Sequence, residues 1–275
     1  MSTSSRLPDA PSPGLPLDTR LRAALVGRSP LSGMFCGFPL PALVEMAAFA
    51  GFDFVVIDNE HGMAGFETTE HMLRAARASG ILPIVRCFEA DIARCLDAGA
   101  SGIKVPMVQT PEQAQRIAQR MRYPRPEGQT GLRGLRGSAF STRAAGYGAF
   151  GGPAHTDRSN ESLGFIAMLE TPQAIEAAAE IAAVEGVDAV FIGPNDLAHA
   201  MGHENRWQDA PVQKAMERGL RAIADAGKCP GILALDEAAR QRYADWGARY
   251  FATVASSIIM KAFEQAAGAS TALRY

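Results

Sequence analysis

The sequence predicts an α/β fold, a single-domain (β/α)8 TIM barrel, and three observations carry that prediction. A helix-like stretch that ends at a glycine is followed at once by an apolar, β-branched run, and this pattern recurs along the chain. The runs are short and wholly apolar, which is typical of parallel strands covered on both faces. The length of 275 residues is close to that of one such barrel, about 250 residues. The glycines concerned are Gly51, Gly80, Gly99, Gly186, Gly227 and Gly247.

Eight strand-like runs follow one another along the chain. They cover residues 33–38, 54–57, 81–85, 103–105, 165–169, 189–192, 231–235 and 250–254. Helical patterns separate most of them, at residues 40–50, 67–79, 91–98, 111–122, 172–184, 211–226 and 236–246, and a last helix covers residues 256–268. Eight such units in this length favour a closed barrel over an open doubly wound sheet.

Charge and composition limit the classes of function. Lys and Arg total 27 against 29 Asp and Glu, a net charge of -2, so no broad electrostatic attraction to nucleic acid or to an anionic membrane is expected. A small molecule is the expected partner. Residues 1–20, rich in Ser and Pro, predict a disordered tail before a barrel domain at residues 21–275. Because no apolar run suits a signal peptide or a transmembrane helix, a cytoplasmic location is expected.

One long stretch, residues 123–163, has much Gly and Pro and no clear periodicity. A loop of this length inside a compact domain is usually functional or part of a subunit contact. Its four arginines could meet an anionic ligand or a neighbouring chain, and a solvated loop is the alternative. They are Arg125, Arg133, Arg136 and Arg143.

Two carboxylates follow neighbouring strands of the predicted barrel. Glu170 comes directly after the fifth run and Asp196 shortly after the sixth. Because barrel enzymes place their active sites at the carboxyl ends of the strands, both side chains would face one mouth. Such a pair suits a hard divalent ion, Mg²⁺ or Mn²⁺, with water and substrate oxygens in the remaining positions. The alternative is that each carboxylate caps the helix that follows it.

A cation and a candidate base would share this mouth. Arg86 ends the third run and could stabilise negative charge on a substrate oxygen, or pair with Glu60 or Asp58. Asp58 and His61 lie three residues apart across a strand-to-loop turn, so the carboxylate could orient the imidazole as a general base. A purely structural histidine is the alternative.

Five segments follow one another along the chain: GFDFVVIDNEHG at 51–62, LPIVR at 82–86, GASGIKVPMVQ at 99–109, LETP at 169–172 and VFIGPNDL at 190–197. Together they resemble the HpcH/HpaI aldolases, which are metal-dependent class II pyruvate aldolases. The resemblance implies a (β/α)8 barrel, commonly a hexamer built from dimers that exchange their last helix. It also implies cleavage or formation of a carbon-carbon bond at C3 of pyruvate or a related 2-oxo acid such as oxaloacetate, with an aldehyde as partner.

The resemblance assigns roles to the residues of the mouth. Glu170 and Asp196 correspond to the two protein ligands of a divalent metal, Mg²⁺, Mn²⁺ or Co²⁺. Arg86 corresponds to the arginine beside the keto oxygen of the substrate. His61 and Asp58 correspond to the pair that handles the proton.

The resemblance also assigns residues around the mouth. Asp97 corresponds to an aspartate that supports the histidine from the neighbouring subunit, and Arg133 or Arg136 to the arginine of an Arg-Gly loop. Met168 stands where well-studied members often have Gln, so one polar contact near the metal would be absent. The turn that would hold the substrate carboxylate is formed by Gly193, Pro194 and Asn195.

Two other functions share these features. A lyase that acts on a CoA thioester, such as malyl- or citramalyl-CoA, would use the same barrel and the same paired carboxylates. A non-catalytic barrel that binds a 2-oxo acid would need neither His61 nor Arg86 for turnover.

Overall fold

The computed structural model describes residues 14–128 and 130–268. Its eight parallel strands pair in sequence order and close into a barrel, which confirms the predicted (β/α)8 fold. The strands are β1 Leu31–Cys36, β2 Phe54–Asp58, β3 Leu82–Arg86, β4 Gly102–Val105, β5 Gly164–Leu169, β6 Ala189–Ile192, β7 Cys229–Leu233 and β8 Tyr250–Val254. Gly80 and Gly99, with φ of 80° and 100°, make the left-handed helix exits that the glycine pattern predicted.

Helices alternate with the strands around the outside of the barrel. They are α1 Leu21–Val26, α2 Pro41–Phe49, α3 Phe66–Ser79, α4 Ile92–Asp97, α5 Pro111–Arg120, α6 Pro153–Ser162, α7 Pro172–Glu176, α8 Ala178–Ala183, α9 Pro194–Ala200, α10 Ala210–Asp225, α11 Glu237–Asp245 and α12 Ala255–Ala266. Two short 3-10 helices add Glu89–Asp91 and Arg143–Gly148. No helix within the described ranges is long and apolar enough to cross a membrane.

The structure corrects the helix predictions in three places. The predicted helix at 172–184 breaks at Ala177 into α7 and α8. The helices α1 and α9 were not predicted. Both are too short for the apolar repeat of a helix to be recognised in the sequence. The stretch 123–163 contains α6, whose buried residues include His155, Ser159 and Asn160, so its inner face carries no apolar stripe.

Side chains of alternate strand residues fill the inside of the barrel. Phe54 stacks on Tyr250 with ring centroids 4.4 Å apart, and Phe191 packs edge-on against the same tyrosine. Glycines on the strands make room for these rings, since a Cβ on Gly231 would lie 2.3 Å from Tyr250. At the opposite end from the mouth, Leu21 of α1 fills the space over Gly102 and Gly164, where an added Cβ would lie 2.4 and 2.9 Å from its Cδ2.

The N-terminal boundary predicted at residue 20 was placed too late. Leu17 and Asp18 are buried, and Arg20 binds both the Asp18 carboxylate, at 2.6 Å, and the carbonyl oxygen of Gly80, at 2.8 Å. Arg77 of α3 binds the Leu15 carbonyl oxygen in the same region. The packed part of the chain therefore begins before residue 21, and residues 1–13 of the tail predicted at residues 1–20 lie outside the described residues.

Candidate active site

Arg86 and Asp58 form a buried ion pair at the carboxyl ends of β3 and β2. The two residues are aligned across the neighbouring strands, so their side chains meet directly. The Arg86 Nε and Nη2 atoms donate to the two Asp58 oxygens at 2.8 and 2.5 Å, and Nη1 lies 3.0 Å from Glu60 Oε2. Burial raises the pKa of Asp58, but hydrogen bonds and charge from Arg86 outweigh it and hold the pKa below its usual value. This guanidinium is therefore held in a fixed orientation.

Among the described residues, the Asp58 carboxylate makes no hydrogen bond with the His61 imidazole, so the predicted contact is wrong. Asp58 Oδ1 instead accepts from the backbone N–H groups of Glu60 and His61, at 3.1 and 3.2 Å, and so fixes the turn that follows β2. The His61 side chain is 66% exposed, and its Nε2 lies 3.8 Å from Glu60 Oε1. Its imidazole therefore faces the solvent at the rim of the mouth.

The two predicted metal carboxylates, Glu170 and Asp196, follow the neighbouring strands β5 and β6. Glu170 directly follows β5 and is buried, whereas Asp196 is exposed in the first turn of α9. Glu170 Oε2 accepts the Met107 backbone N–H at 2.7 Å. Burial raises the pKa of Glu170 to about 7, and the charges of Asp196 and Glu60 add to the rise against the Met107 hydrogen bond and Arg86. Three carboxylates thus concentrate negative charge at one place.

The turn between β6 and α9 packs against Glu170. A Cβ on Gly193 would lie 2.8 Å from Glu170 Cγ, 2.9 Å from its Oε1 and 2.9 Å from Met168 Cε, so only glycine fits here. Pro194 is buried and starts α9, and Asn195 is exposed beside Asp196. The predicted carboxylate-binding turn therefore borders the predicted metal ligands.

The donor set of the mouth fits a divalent cation with only two protein ligands. Among the described residues, no group of three or more His, Cys, Asp or Glu side chains is arranged to hold a metal. Glu170 and Asp196 offer carboxylate oxygens, which hard ions such as Mg²⁺ and Mn²⁺ prefer, and water and substrate oxygens would complete the shell. A positive ion would also offset the burial of the Glu170 charge and the repulsion from Asp196 and Glu60, which together raise its pKa.

Asp97 and the predicted Arg-Gly loop lie away from these residues. Asp97 ends α4, and its Oδ1 accepts from Arg136 Nη2 at 2.5 Å. The Arg136 side chain is only 1% exposed and stacks over the Tyr123 ring, 4.4 Å from its centroid. Arg133 is exposed and borders a surface cavity with Arg125. Of the two candidate arginines, Arg136 is thus paired with Asp97, and Arg133 faces outward.

Sequence reasoning missed two parts of the mouth. One is the Met107 backbone, whose φ of 54° is a left-handed conformation that turns its N–H toward Glu170. The other is Lys104, a fully buried residue of β4 beside Arg86. The sequence contains a signal for Lys104, because it is a charged residue inside an otherwise apolar strand. It contains no signal for the left-handed conformation of Met107.

A closed β/α barrel whose strand ends gather an oriented arginine and converging carboxylates defines a barrel enzyme with a site for a small anion. The chain belongs to the HpcH/HpaI aldolase/citrate lyase family, which it matches over residues 31–259. This membership confirms the resemblance seen in the five sequence segments.

Relatives and a solved structure support the same class. A hydroxypyruvate/pyruvate aldolase of Delftia acidovorans is 41% identical over 234 residues, 84% of each chain. A 5-keto-4-deoxy-D-glucarate aldolase of Escherichia coli is 34% identical over 236 residues, 85% of this chain and 89% of the relative. A family protein from Burkholderia cenocepacia J2315 superposes with a TM-score of 0.84 at 33% identity, over 90% of this chain and 97% of the other. The chain is accordingly a carbon-carbon lyase, as predicted.

Proposed function

We propose that this enzyme is a divalent-metal-dependent aldolase that cleaves or forms the C3–C4 bond of 4-hydroxy-2-oxo acids through the enolate of pyruvate. The observation that carries the proposal is the convergence of Glu170 and Asp196 beside Arg86, whose guanidinium is already held by Asp58. The names of its relatives, two aldolases of 2-oxo compounds, support the reaction class.

Glu170 and Asp196 would hold the metal, Mg²⁺, Mn²⁺ or Co²⁺, in line with the general metal dependence of the family. A metal bound there would withdraw electrons from the keto group and so make the C3 protons of the 2-oxo acid acidic. The backbone at Gly193 and Asn195, with Pro194 between them, would bind the carboxylate of the same substrate at the start of α9.

Arg86 stabilises the negative charge that develops on the keto oxygen. Its ion pair with Asp58 keeps the guanidinium oriented before the substrate arrives, so little reorganisation is needed during the reaction. Arg86 can extend a hydrogen bond to the substrate from the Nη1 side, where Glu60 lies 3.0 Å away.

His61 exchanges a proton with the hydroxyl group of the aldol or with the aldehyde. Its exposed ring stands at the rim, where the second substrate would enter, and an imidazole can both accept and donate a proton. We further propose that the enzyme is a homo-oligomer, a hexamer or trimer of dimers, in which Asp97 of a neighbouring chain supports the imidazole. Arg133, which faces outward, would bind an anionic group of the second substrate.

The proposed reaction is tested with the full chain and a panel of 4-hydroxy-2-oxo acids, with pyruvate release followed by a coupled assay. Turnover should be lost in a chelator and return with Mg²⁺, Mn²⁺ or Co²⁺. Full activity in the chelator would contradict the proposal. Release of product from malyl- or citramalyl-CoA, without release from the hydroxy-oxo acids, would assign the enzyme to the CoA-thioester lyases instead.

The metal ligands are tested with Glu170→Gln, which should abolish Mn²⁺ binding in a calorimetric titration and leave the folded state intact. Removing a buried carboxylate that lacks its cation should not lower the melting temperature of the metal-free protein. Glu112→Gln on the surface of α5 is the matched control and should bind Mn²⁺ normally. Tight Mn²⁺ binding by Glu170→Gln would remove Glu170 from the site.

A further inference from the structure

Lys104 is a lysine whose side chain is enclosed in the barrel beneath the mouth. It lies on β4, aligned with Arg86 of β3 on one side and Ile166 of β5 on the other. Its side chain is 0% exposed, and within the described ranges its Nζ has no hydrogen-bond partner. None of the roles proposed above uses this residue.

Three aromatic rings surround the Lys104 ammonium. Its Nζ lies 3.5 Å from the centroid of Phe191, 4.3 Å from Phe35 and 4.9 Å from Tyr250. The faces of aromatic rings attract a cation, and the attraction grows when water is excluded. The Arg86 guanidinium lies 4.9 Å from the centroid of the same Phe35 ring. The side chains of Arg86 and Lys104 therefore both lie against the Phe35 ring, with Arg86 at the mouth and Lys104 below it.

Charged groups from several strands face this ammonium. Burial lowers the pKa of Lys104 well below its usual value, and Arg86 lowers it further, while the Asp58 and Glu170 carboxylates oppose the shift. The Tyr250 hydroxyl, on β8, also lacks a hydrogen-bond partner among the described residues. Burying an ammonium without hydrogen bonds is unfavourable, whereas Met would fill the same space without that cost. Packing therefore does not account for a lysine here.

We infer that Lys104 is a positioning cation that acts from beneath the mouth, through Arg86 and through its own charge, to favour doubly negative ligands over singly negative ones. The inference rests on the proposed function. Loss of a C3 proton turns a 2-oxo carboxylate, with one negative charge, into an enolate with two. Inside a low-dielectric barrel, a second fixed cation stabilises the dianion more than the monoanion. The three ring faces and the Asp58 and Glu170 carboxylates oppose the effect of burial and favour the protonated amine, and a doubly negative ligand in the mouth favours it further.

The test compares the wild-type enzyme with Lys104→Met, which keeps the length of the side chain and removes its charge. Oxalate serves as the probe for the enolate, because it is a planar dianion of similar shape, and pyruvate serves as the monoanion. Binding of Mn²⁺ alone, then of oxalate and of pyruvate with Mn²⁺ present, is measured by calorimetry. Ile166→Met is the matched control, since Ile166 neighbours Lys104 inside the barrel and carries no charge.

The expected result separates charge from packing. Lys104→Met should melt at or above the wild-type temperature and bind Mn²⁺ at least as tightly, because a repelling cation is gone. Its oxalate affinity should fall about tenfold more than its pyruvate affinity, and kcat should fall about tenfold with little change in KM. Ile166→Met should keep the wild-type ratio of the two affinities.

Three outcomes would overturn the inference. The first is a wild-type ratio of oxalate to pyruvate affinity and a wild-type kcat in Lys104→Met, which would make the lysine a packing residue. The second is equal weakening of both ligands. The third is failure of both Lys104→Met and Lys104→Gln to fold, which would make the cation a requirement of the fold. A wild-type enzyme that neither binds oxalate with Mn²⁺ nor turns over would instead contradict the proposed function.

Discussion

Glu170 links the chemistry of the mouth to pH. Its pKa of about 7 lies above the ordinary value of 4.5, chiefly because the carboxyl is buried, so a proton competes with a metal for the same oxygen atoms. We expect Mn²⁺ affinity to rise about tenfold per pH unit from about pH 5.5 to about 7 and then to level off. Titrations of Mn²⁺ across this range check the expectation, and a pH-independent affinity would contradict it.

The raised pKa of Glu170 also makes the stability of the metal-free protein depend on pH. A carboxyl with a raised folded-state pKa contributes stability that is complete below pH 4.5 and is lost as the pH rises through about 7. Glu170→Gln should therefore flatten this part of the stability profile.

Arg86 is the residue whose loss should cost the most stability at the site. It is the cation for the buried Asp58 carboxylate and for the largely buried side chain of Glu60. We expect Arg86→Met to lower the free energy of unfolding by about 3 kcal/mol, because both carboxylates stay buried without their partner. Urea denaturation measures the change. Arg116→Met, which breaks an exposed pair with Glu89, is the control and should cost less than about 1 kcal/mol.

The sequence predicted which residues lie at the site better than it predicted which side chains they bind. Glu170 and Arg86 were found because they interrupt or end apolar strand runs at the end of the barrel where active sites lie. The partner of Asp58 could not be chosen in this way, because the sequence allowed both His61 and Arg86. The choice between His61 and Arg86 depends on the alignment of β2 with β3, which no local spacing encodes.

At the scale of elements, strands were easier to predict than the segments between them. The strands bury every side chain or nearly so, which gives continuous apolar runs. The helix α6 buries polar residues, and its neighbour Arg136 is fixed by Asp97, 39 positions earlier in the chain. Order in this region comes from distant contacts, so local pattern could not reveal it.

The turn between β6 and α9 should be the element most sensitive to a single methyl group. We expect Gly193→Ala to weaken Mn²⁺ binding at least tenfold, because the new Cβ would displace the Glu170 side chain from its present position. Calorimetric titration of Mn²⁺ measures the loss. Gly65→Ala is the control, since a Cβ there meets no atom within 4 Å and its φ of -71° suits alanine. Equal affinities in the two variants would contradict the expectation.

At the scale of the whole molecule, the last helix is incompletely covered by its own chain. The helix α12 buries only Ala255 among its residues, and Ile258, Met260 and Phe263 are exposed apolar side chains. Exposed apolar surface of this kind favours association, and exchange of this helix between subunits stays a prediction. We expect Phe263→Glu to lower the mass in solution measured by light scattering. Gln265→Glu adds the same charge to the same helix and is the control; an unchanged mass in both variants would exclude α12 from the interface.

The packing of Leu21 against Gly102 and Gly164 has a consequence for the order of folding. The chain meets its partners for this residue only after 81 and 143 further positions have been synthesised, as the three residue numbers show. Until β4 and β5 are paired, the first helix has no surface on which to dock. Contacts between segments so far apart in sequence form slowly, because a long loop must close first. The helix α1, although synthesised before every strand of the barrel, is thus among the last elements to reach its native place.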